Sequence, residues 1–572
     1  MKKVLTIAIS FILVLSAVVM VPAITKIDTA SAEATHTIGI FDEEFVEISF
    51  GVISDLHLDR AEKAYTTGDY CQPFTREAFQ SIIKQAAIHD KDGLDAMVMA
   101  GDIIDNQVND NNQYGRDRRG VAEMNAFMDV VLEFTDSKIT IDSVEYPNNI
   151  GNNVMLTTGN HDTRTYYSSF GAFKDLMGDE YFESNGNRTD ARVDLEKGYR
   201  HSYITIGNQE YHFIMIEAMP TIPWFIDPLS LDYIEADLEA ITTANPNAYV
   251  YIAIHEAPYD TIYGTEENWD PGSNKWHTDA LTCDPEDAYS LDSTNPAGYS
   301  ATPIDLTYIG MDGEQKTVKG FKRNGYTGTT RNIISKYPQV MVFAGHTHIT
   351  LNDERSIVSV NEADRKFTTV NTGAVKGGGG AGFDIEVMNT YSYNSLDLRK
   401  GLLVQVDVDG DVRITRLDFK TDTVTKTPWE LSAPVADNSH LNKYTRASRT
   451  NANIAPVLSG SIALANGSFK SLYDDSSCNL KISLPAATDT DANIIFYYEI
   501  EAYEAGTNLI KKTWKVRSDF NTAHFNGLTS DMRTEFSHFL QLDAGNYDFK
   551  VTAYDSWEAA SNTLTYLNFT VL

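Results

Sequence analysis

The sequence predicts an α/β fold: a layered domain of β-sheets covered by helices, followed by a small all-β sandwich. Three observations point there. Apolar strand-like runs alternate with amphipathic helix-like stretches from Val46 to about Phe419. Several of those runs stop at a His, Asp or Asn, and after Thr427 the helical rhythm gives way to short alternating strands.

The chain opens with Met1-Lys2-Lys3, an apolar run from Val4 to Ile24 broken by Thr6, Ser10, Ser16 and Pro22, and then Ala30-Ser31-Ala32. That order of basic, apolar and small residues predicts a secretory signal peptide over 1–32, cleaved after Ala32, and hence a secreted, extracellular protein. No second apolar run of spanning length follows, so no transmembrane helix is expected in the mature chain.

Residues 33–427 are expected to form the layered domain. Its strands are read at 46–54, 94–101, 153–159, 210–218, 248–255, 340–345, 366–373 and 402–408, each an apolar run bounded by turn residues. Helical periodicity is read from Arg76 to His89, Val121 to Asp136, Leu231 to Thr243 and Thr330 to Tyr337. The stretch 259–329, with Tyr259, Tyr263, Trp269, Trp276 and Tyr299, is a long loop-like insertion expected to cover part of the site. Residues 428–453 read as a polar linker. The segment 454–572, with strands at 494–503, 546–555 and 563–571, reads as an accessory β-sandwich that resembles immunoglobulin or fibronectin type III modules in rhythm. Within it "TDTDAN" (488–493) lacks the glycine and terminal glutamate of an EF-hand loop and is read as a turn.

Composition narrows the function. The chain has 572 residues, 42% hydrophobic and 22% charged, enough for at least two cores and unlike a disordered protein. Its formal charge is −34, and without residues 1–32 the 43 basic and 79 acidic residues leave −36. Such a surface repels polyanions at long range, and no nucleic acid duplex is expected as a partner. Three widely spaced cysteines, Cys71, Cys283 and Cys478, exclude a thiolate zinc site and a disulfide framework, leaving a single bridge open.

The strand ends carry the chemistry. Asp55 and His57 follow the first strand and Asp102 the second; Asn160, His161 and Asp162 follow the third; His255 ends another, and His346 and His348 end the 340–345 strand. One such residue is an ordinary turn or cap, but ligand-type residues at successive strand ends point to a metal site, because ligand positions in α/β folds gather beyond the carboxyl ends of strands. Read as continuing the strand, His346 and His348, two apart, would present both rings on one side.

These blocks resemble the calcineurin-like metallophosphoesterases, whose pattern runs D-x-H, G-D-x-x-D, G-N-H-[DE], an isolated His, and G-H-x-H. Here they read Asp55-Leu56-His57, Gly101-Asp102-Ile103-Ile104-Asp105, Gly159-Asn160-His161-Asp162, His255 followed by Pro258, and Gly345-His346-Thr347-His348. The resemblance spans about residues 46–420 and implies a layered α/β metallophosphoesterase domain with two divalent ions. Asp55, His57, His348 and Asp102 would hold one; Asp102, as a shared bridge, with Asn160, His255 and His346 would hold the other. Mixed imidazole, carboxylate and amide donors suit Mn, Fe, Co, Ni or Zn. D-x-H departs from the D-x-G of purple acid phosphatases.

The resemblance further implies hydrolysis of phosphate mono- or diesters by a metal-bridging hydroxide, with His161 as general acid and Asp162 orienting its ring. Asn106 and Arg164 would face the substrate, with Asp105 beside them. The substrate expected is a small or exposed phosphate ester. The glycine-rich "NTGAVKGGGGAGF" (371–383) and the cations Arg116, Arg118 and Arg119 are weaker candidates for phosphate contacts. The alternative from another class is a surface or matrix-binding protein in which the β-sandwich carries the function and the α/β domain is a scaffold.

Overall fold

The structure is a computed structural model that describes residues 41–58, 72–104, 126–151, 153–159, 161–162, 188–194, 197–217, 226–258, 261–262, 304–320, 333–376, 399–470, 477–491, 495–518 and 535–572, together with 123, 269–270, 275–276 and 330–331. The expected signal peptide, the run 377–383, the cations Arg116, Arg118 and Arg119, and most of the 259–329 insertion lie outside these residues.

Two sheets make up the layered part. In the first, β1 (Val46–Ile53), β2 (Ala96–Ala100) and β3 (Val154–Thr157) are parallel neighbours in the order β1-β2-β3. The second holds β4 (Arg188–Asp194), β5 (Tyr199–Ile206), β6 (Gln209–Ile216), β7 (Val250–Ile254), β8 (Val340–Ala344), β9 (Ile357–Asn361) and β10 (Lys366–Asn371), ordered β9-β10-β8-β7-β6-β5-β4. The strands β6, β7, β8 and β10 are parallel. The first sheet is extended on the other side of β1 by antiparallel β11 (Lys400–Asp407) and β12 (Val412–Asp418).

Side-chain alternation sorts these strands into three cores. Ile48, Phe50 and Val52 of β1 share one cluster with Phe213, Tyr251 and Phe343, so the two sheets face each other. Phe50 meets Tyr251 at 4.8 Å and Phe213 at 5.1 Å between ring centroids, both edge-on. On the opposite face of the first sheet, Met97, Met99, Val154 and Leu156 pack with Phe79, Ile82 and Ile83 of helix α1 (Gln72–His89). On the outer face of the second, Ile214, Ile252 and Val342 pack with Leu231, Ile234, Leu238 and Ile241 of helix α2 (Pro228–Ala244). The order is helix, sheet, sheet, helix. Strands buried on both faces read as continuous apolar runs, each large side chain stabilising the fold by about 1.5–3 kcal/mol.

Helix α2 starts where its sequence says it should. Asp227 accepts from the Leu229 N–H at 2.9 Å, and Pro228 occupies the first turn, where a missing N–H costs nothing. Its buried residues Leu231, Ile234, Leu238 and Ile241 recur every three or four positions, which makes one apolar stripe. The expected helix at 121–136 appears as helix over 126–133, and that at 330–337 as helical positions among 330–334.

The segment expected as a polar linker is structured. Trp429–Leu431 forms β13, antiparallel to β12, and is followed by a 3-10 turn at Ser439–Tyr444 and helix α3 (Arg446–Ala452). Three residues are too few to show a period, so Trp429 and Leu431, both buried, left no strand signature. The partly buried carboxylate of Glu354 accepts from Arg416 (3.0 Å), Lys426 (3.3 Å), Arg449 of α3 (2.7 Å) and the Trp429 indole (3.3 Å). Burial works to raise its pKa, but those three cations hold it well below the usual carboxylate range.

The described residues between 463 and 571 form two antiparallel sheets, one of three strands and one of four. Leu480, Ile482 and Leu484 from the first share a hydrophobic cluster with Tyr498, Ile500, Phe549 and Val551 from the second. The three strands read here from the sequence all belong to the four-stranded sheet, as Ile495–Glu504, Gly545–Asp555 and Leu564–Val571.

At the end of the first sheet away from the strand-end loops, Asp95 accepts from the Ser49 N–H at 2.9 Å. Burial raises its pKa to about 7, opposed by that hydrogen bond and helped by nearby Asp90. A carboxyl raised in the folded state stabilises fully below its unfolded pKa of about 4, and that contribution is lost as pH rises through about 7. Asp95→Asn keeps an acceptor for Ser49 without the charge. Its urea midpoint should exceed the parent's at pH 8 and lose that advantage by pH 4.

Candidate metal centre

The loops that leave β1, β2, β3, β7 and β8 meet at one end of the two sheets. Backbone hydrogen bonds continue the parallel pairing past the strands: Asp55 N–H to Gly101 O (3.0 Å), His57 N–H to Asp102 O (3.0 Å) and Gly345 N–H to His255 O (3.0 Å). Asp55, His57, Asp102, His346 and His348 all hold positive φ, between 41° and 67°. Non-glycine residues there cost about 1–3 kcal/mol each and persist only where surroundings force them. This corrects one expectation. The strand ends at Ala344, and His346 and His348 stand in a left-handed loop rather than on one side of a strand.

Two donor groups result. Asp55, His57, Asp102 and His348 each offer an atom within 4.8 Å of the others, and Asp102, His255 and His346 do the same, with Asp102 common to both. In the first, His348 Nε2 lies 2.9 Å from Asp55 Oδ1 and 3.2 Å from His57 Nε2. In the second, His255 Nε2 lies 3.2 Å from Asp102 Oδ2. The two histidines of the G-H-T-H run therefore go to different groups. Imidazoles facing one another across carboxylates fit a shared cation, and the nitrogen and oxygen donor set suits a first-row transition ion.

Neighbouring groups aim these donors. The His255 Nδ1 lies 2.8 Å from the Ala100 carbonyl, so it carries a hydrogen and the ring turns Nε2 toward Asp102. Ser54 Oγ donates to Asp55 Oδ2 (2.5 Å), and the His346 N–H reaches the same oxygen at 3.0 Å. The motif glycines are spacers. A Cβ on Gly159 would lie 2.2 Å from Asp102 Oδ1, and one on Gly345 would lie 2.5 Å from Asp55 Oδ2.

The electrostatics follow from burial against charge. Burial would raise Asp102, but His255, His161 and His57 around it hold it well below the ordinary carboxylate range. Asp55, equally buried, is held at about 2 by His348. Burial takes His57 down to about 4, a neutral imidazole suited to ligation. Burial lowers His255 too, yet Asp102 overrides it and lifts it to about 10. A proton on His255 thus balances the Asp102 charge, and a cation bound there competes with that proton.

His161 stands at the edge of the first group. Its N–H donates to Asp102 Oδ1 at 2.7 Å, its Nε2 lies 3.9 Å from Asp102 Oδ2, and its ring meets His57 edge-on at 4.6 Å. The Asp162 carboxylate accepts the backbone N–H groups of Gly159 (2.7 Å), Ile104 (3.0 Å) and Ile103 (3.3 Å), so it braces the loops that carry Asp102 and His161. Burial and the nearby Asp102 charge raise it to about 6.

Sequence reasoning passed over two buried carboxyls. Glu217, one residue past β6, accepts from the Thr158 N–H at 3.0 Å, and burial raises its pKa well above the usual range. Glu256 Oε1 lies 3.7 Å from His346 Nε2. Glu256 directly follows His255, which was the available signal. The Lys376 ammonium donates to the His57 carbonyl at 3.1 Å, which brings the start of the glycine-rich run to the site. Asn160, Asp105, Asn106 and Arg164 lie outside the described residues.

A family model described as calcineurin-like phosphoesterase matches residues 48–350, more than half of the chain, and that range holds every donor named above. A comparison with curated proteins found no match.

Because the Gly159 Cβ would also stand 2.4 Å from the Asp102 backbone nitrogen, main chain must move to admit it. Gly159→Ala should lower stability by about 1–3 kcal/mol, the usual scale of overpacking, read as a lower urea midpoint.

Proposed function

The chain belongs to the calcineurin-like phosphoesterase family, and from that premise we propose a secreted, metal-dependent hydrolase of phosphate mono- or diesters that uses two divalent ions. The observation that carries this reading is the pair of donor groups meeting at Asp102. Asp55, His57, His348 and Asp102 hold one ion; Asp102, His255 and His346, with Asn160, hold the other. When bound, such ions polarise phosphate oxygens and acidify water.

The chain's own residues do the rest. Asp102 and Asp55 supply fixed negative charge where cations gather, and the Ala100 carbonyl fixes the His255 ring with Nε2 toward Asp102. His161, held by the Asp102 carboxylate through its backbone, delivers a proton to the departing alcohol oxygen. Asp162 keeps the two loops in register. Two ions beside two carboxylates leave the centre net positive, and a near charge outweighs the distant, screened acidic surface. A small or exposed phosphate ester is therefore the substrate class. Secretion is supported by the residue order in 1–32. Among the described residues no helix is long and apolar enough to cross a membrane.

Metal analysis of alanine variants tests the ligand assignment. His255→Ala and His346→Ala should each deplete the same one of two equivalents, and His57→Ala the other. Asp102→Ala should weaken both. Selective loss of the same single ion in His346→Ala and His57→Ala would show the division to be wrong.

A leaving-group series tests His161. His161→Asn should keep its metal and lose about 10²- to 10⁴-fold with alkyl esters, far less with nitrophenyl esters, whose phenolate leaves without a proton. An equal loss across the series would remove the general-acid role.

A further inference from the structure

The residue directly after His348 does not pack on the layered domain alone. Ile349, 3% exposed, forms a separate small cluster with Phe496 and Tyr497 of the four-stranded C-terminal sheet, with Tyr554 packed against it. The ring of Tyr554 stacks on Tyr497 at 4.8 Å. Six residues beyond Ile349, the Arg355 guanidinium lies over the Phe496 ring at 4.5 Å, and it is held there by a fork of hydrogen bonds to Asp353 (2.7 and 3.0 Å). From the other side Asn371 of β10 donates to the Ile349 carbonyl at 3.1 Å. Arg449 of α3 reaches Glu354 in the same loop, and Asn453 after that helix bonds Asp555 of the C-terminal sheet at 2.7 Å.

This loop is one of those that must be forced. His346 and His348 sit at φ of 67° and 47°, conformations that persist only when neighbours over-determine them. Asn371 fixes one side of Ile349, and the aromatic pair from the C-terminal sheet closes the other. We propose that the C-terminal sheets are a working part of the metal centre, with Phe496 a positioning residue that acts through Ile349 to hold His348 against Asp55 and His57. The accessory role expected from the sequence gives way to a buttress. This inference rests on the two-ion reading.

The test is a titration of metal-stripped full-length protein with Mn²⁺ alone. The parent should take two equivalents. Phe496→Ala should weaken one of them by about 10- to 100-fold, the usual effect of removing a group that orients a ligand, while Phe496→Leu, which keeps an apolar contact for Ile349, should restore most of it. A double-mutant cycle separates positioning from mere damage to the C-terminal sheets. In an Ile349→Ala background, Phe496→Ala should add little further loss. Parental affinity for both equivalents in Phe496→Ala would overturn the inference, as would a full additional loss in the Ile349→Ala background. A parent that binds no Mn²⁺ would instead overturn the two-ion reading on which it stands.

Discussion

Around the Asp102 carboxylate the rest of the site is arranged. It is 1% exposed, and burying an unbalanced carboxylate costs several kcal/mol. The His255 imidazolium supplies the main balance, with the rings of His57 and His161 beside it, and the three arrive from three different strand ends. His57 and His161 come from the first sheet and His255 from the second, so the charge is met only where the two sheets face each other. The positive φ values of the ligand loops are the strain accepted to bring those groups within reach.

The sheet interface decides where such groups can stand. Phe50 is wedged among Phe213, Tyr251 and Phe343, and farther along the same strand Ile53 packs into the core on the other face. In the parallel strands next to the site, nearly every interior position is given to one apolar cluster or another. The ligands occupy the first residues beyond the strands, where backbone pairing continues and side chains are no longer committed to the apolar clusters. Chemistry at the strand ends is the complement of apolar strands.

Much of this was legible in the sequence for the same reason. Strands buried on both faces announce themselves as unbroken apolar runs, and all eight runs read between residues 46 and 408 are strands. The donor residues were legible because each follows such a run. Other features depend on partners distant in sequence. The strand at Trp429–Leu431 is too short to carry a period. The contact from the Asp162 carboxylate to the Ile104 backbone amide, 58 residues away, is one that no local spacing announces. The left-handed backbone at His346 and His348 has no sequence signature of its own, since it is imposed by Asp55 and the packing around Ile349.

The Glu354 cluster sets an order of events during synthesis. Glu354 lies six residues past His348, but the cations that neutralise it come later, at Arg416, Lys426 and Arg449, the last of them 95 positions downstream. Until Arg449 has emerged from the ribosome, the loop that carries His348 holds a carboxylate with no settled burial site. That corner therefore reaches its full charge balance only after the segment carrying Arg449 is in place.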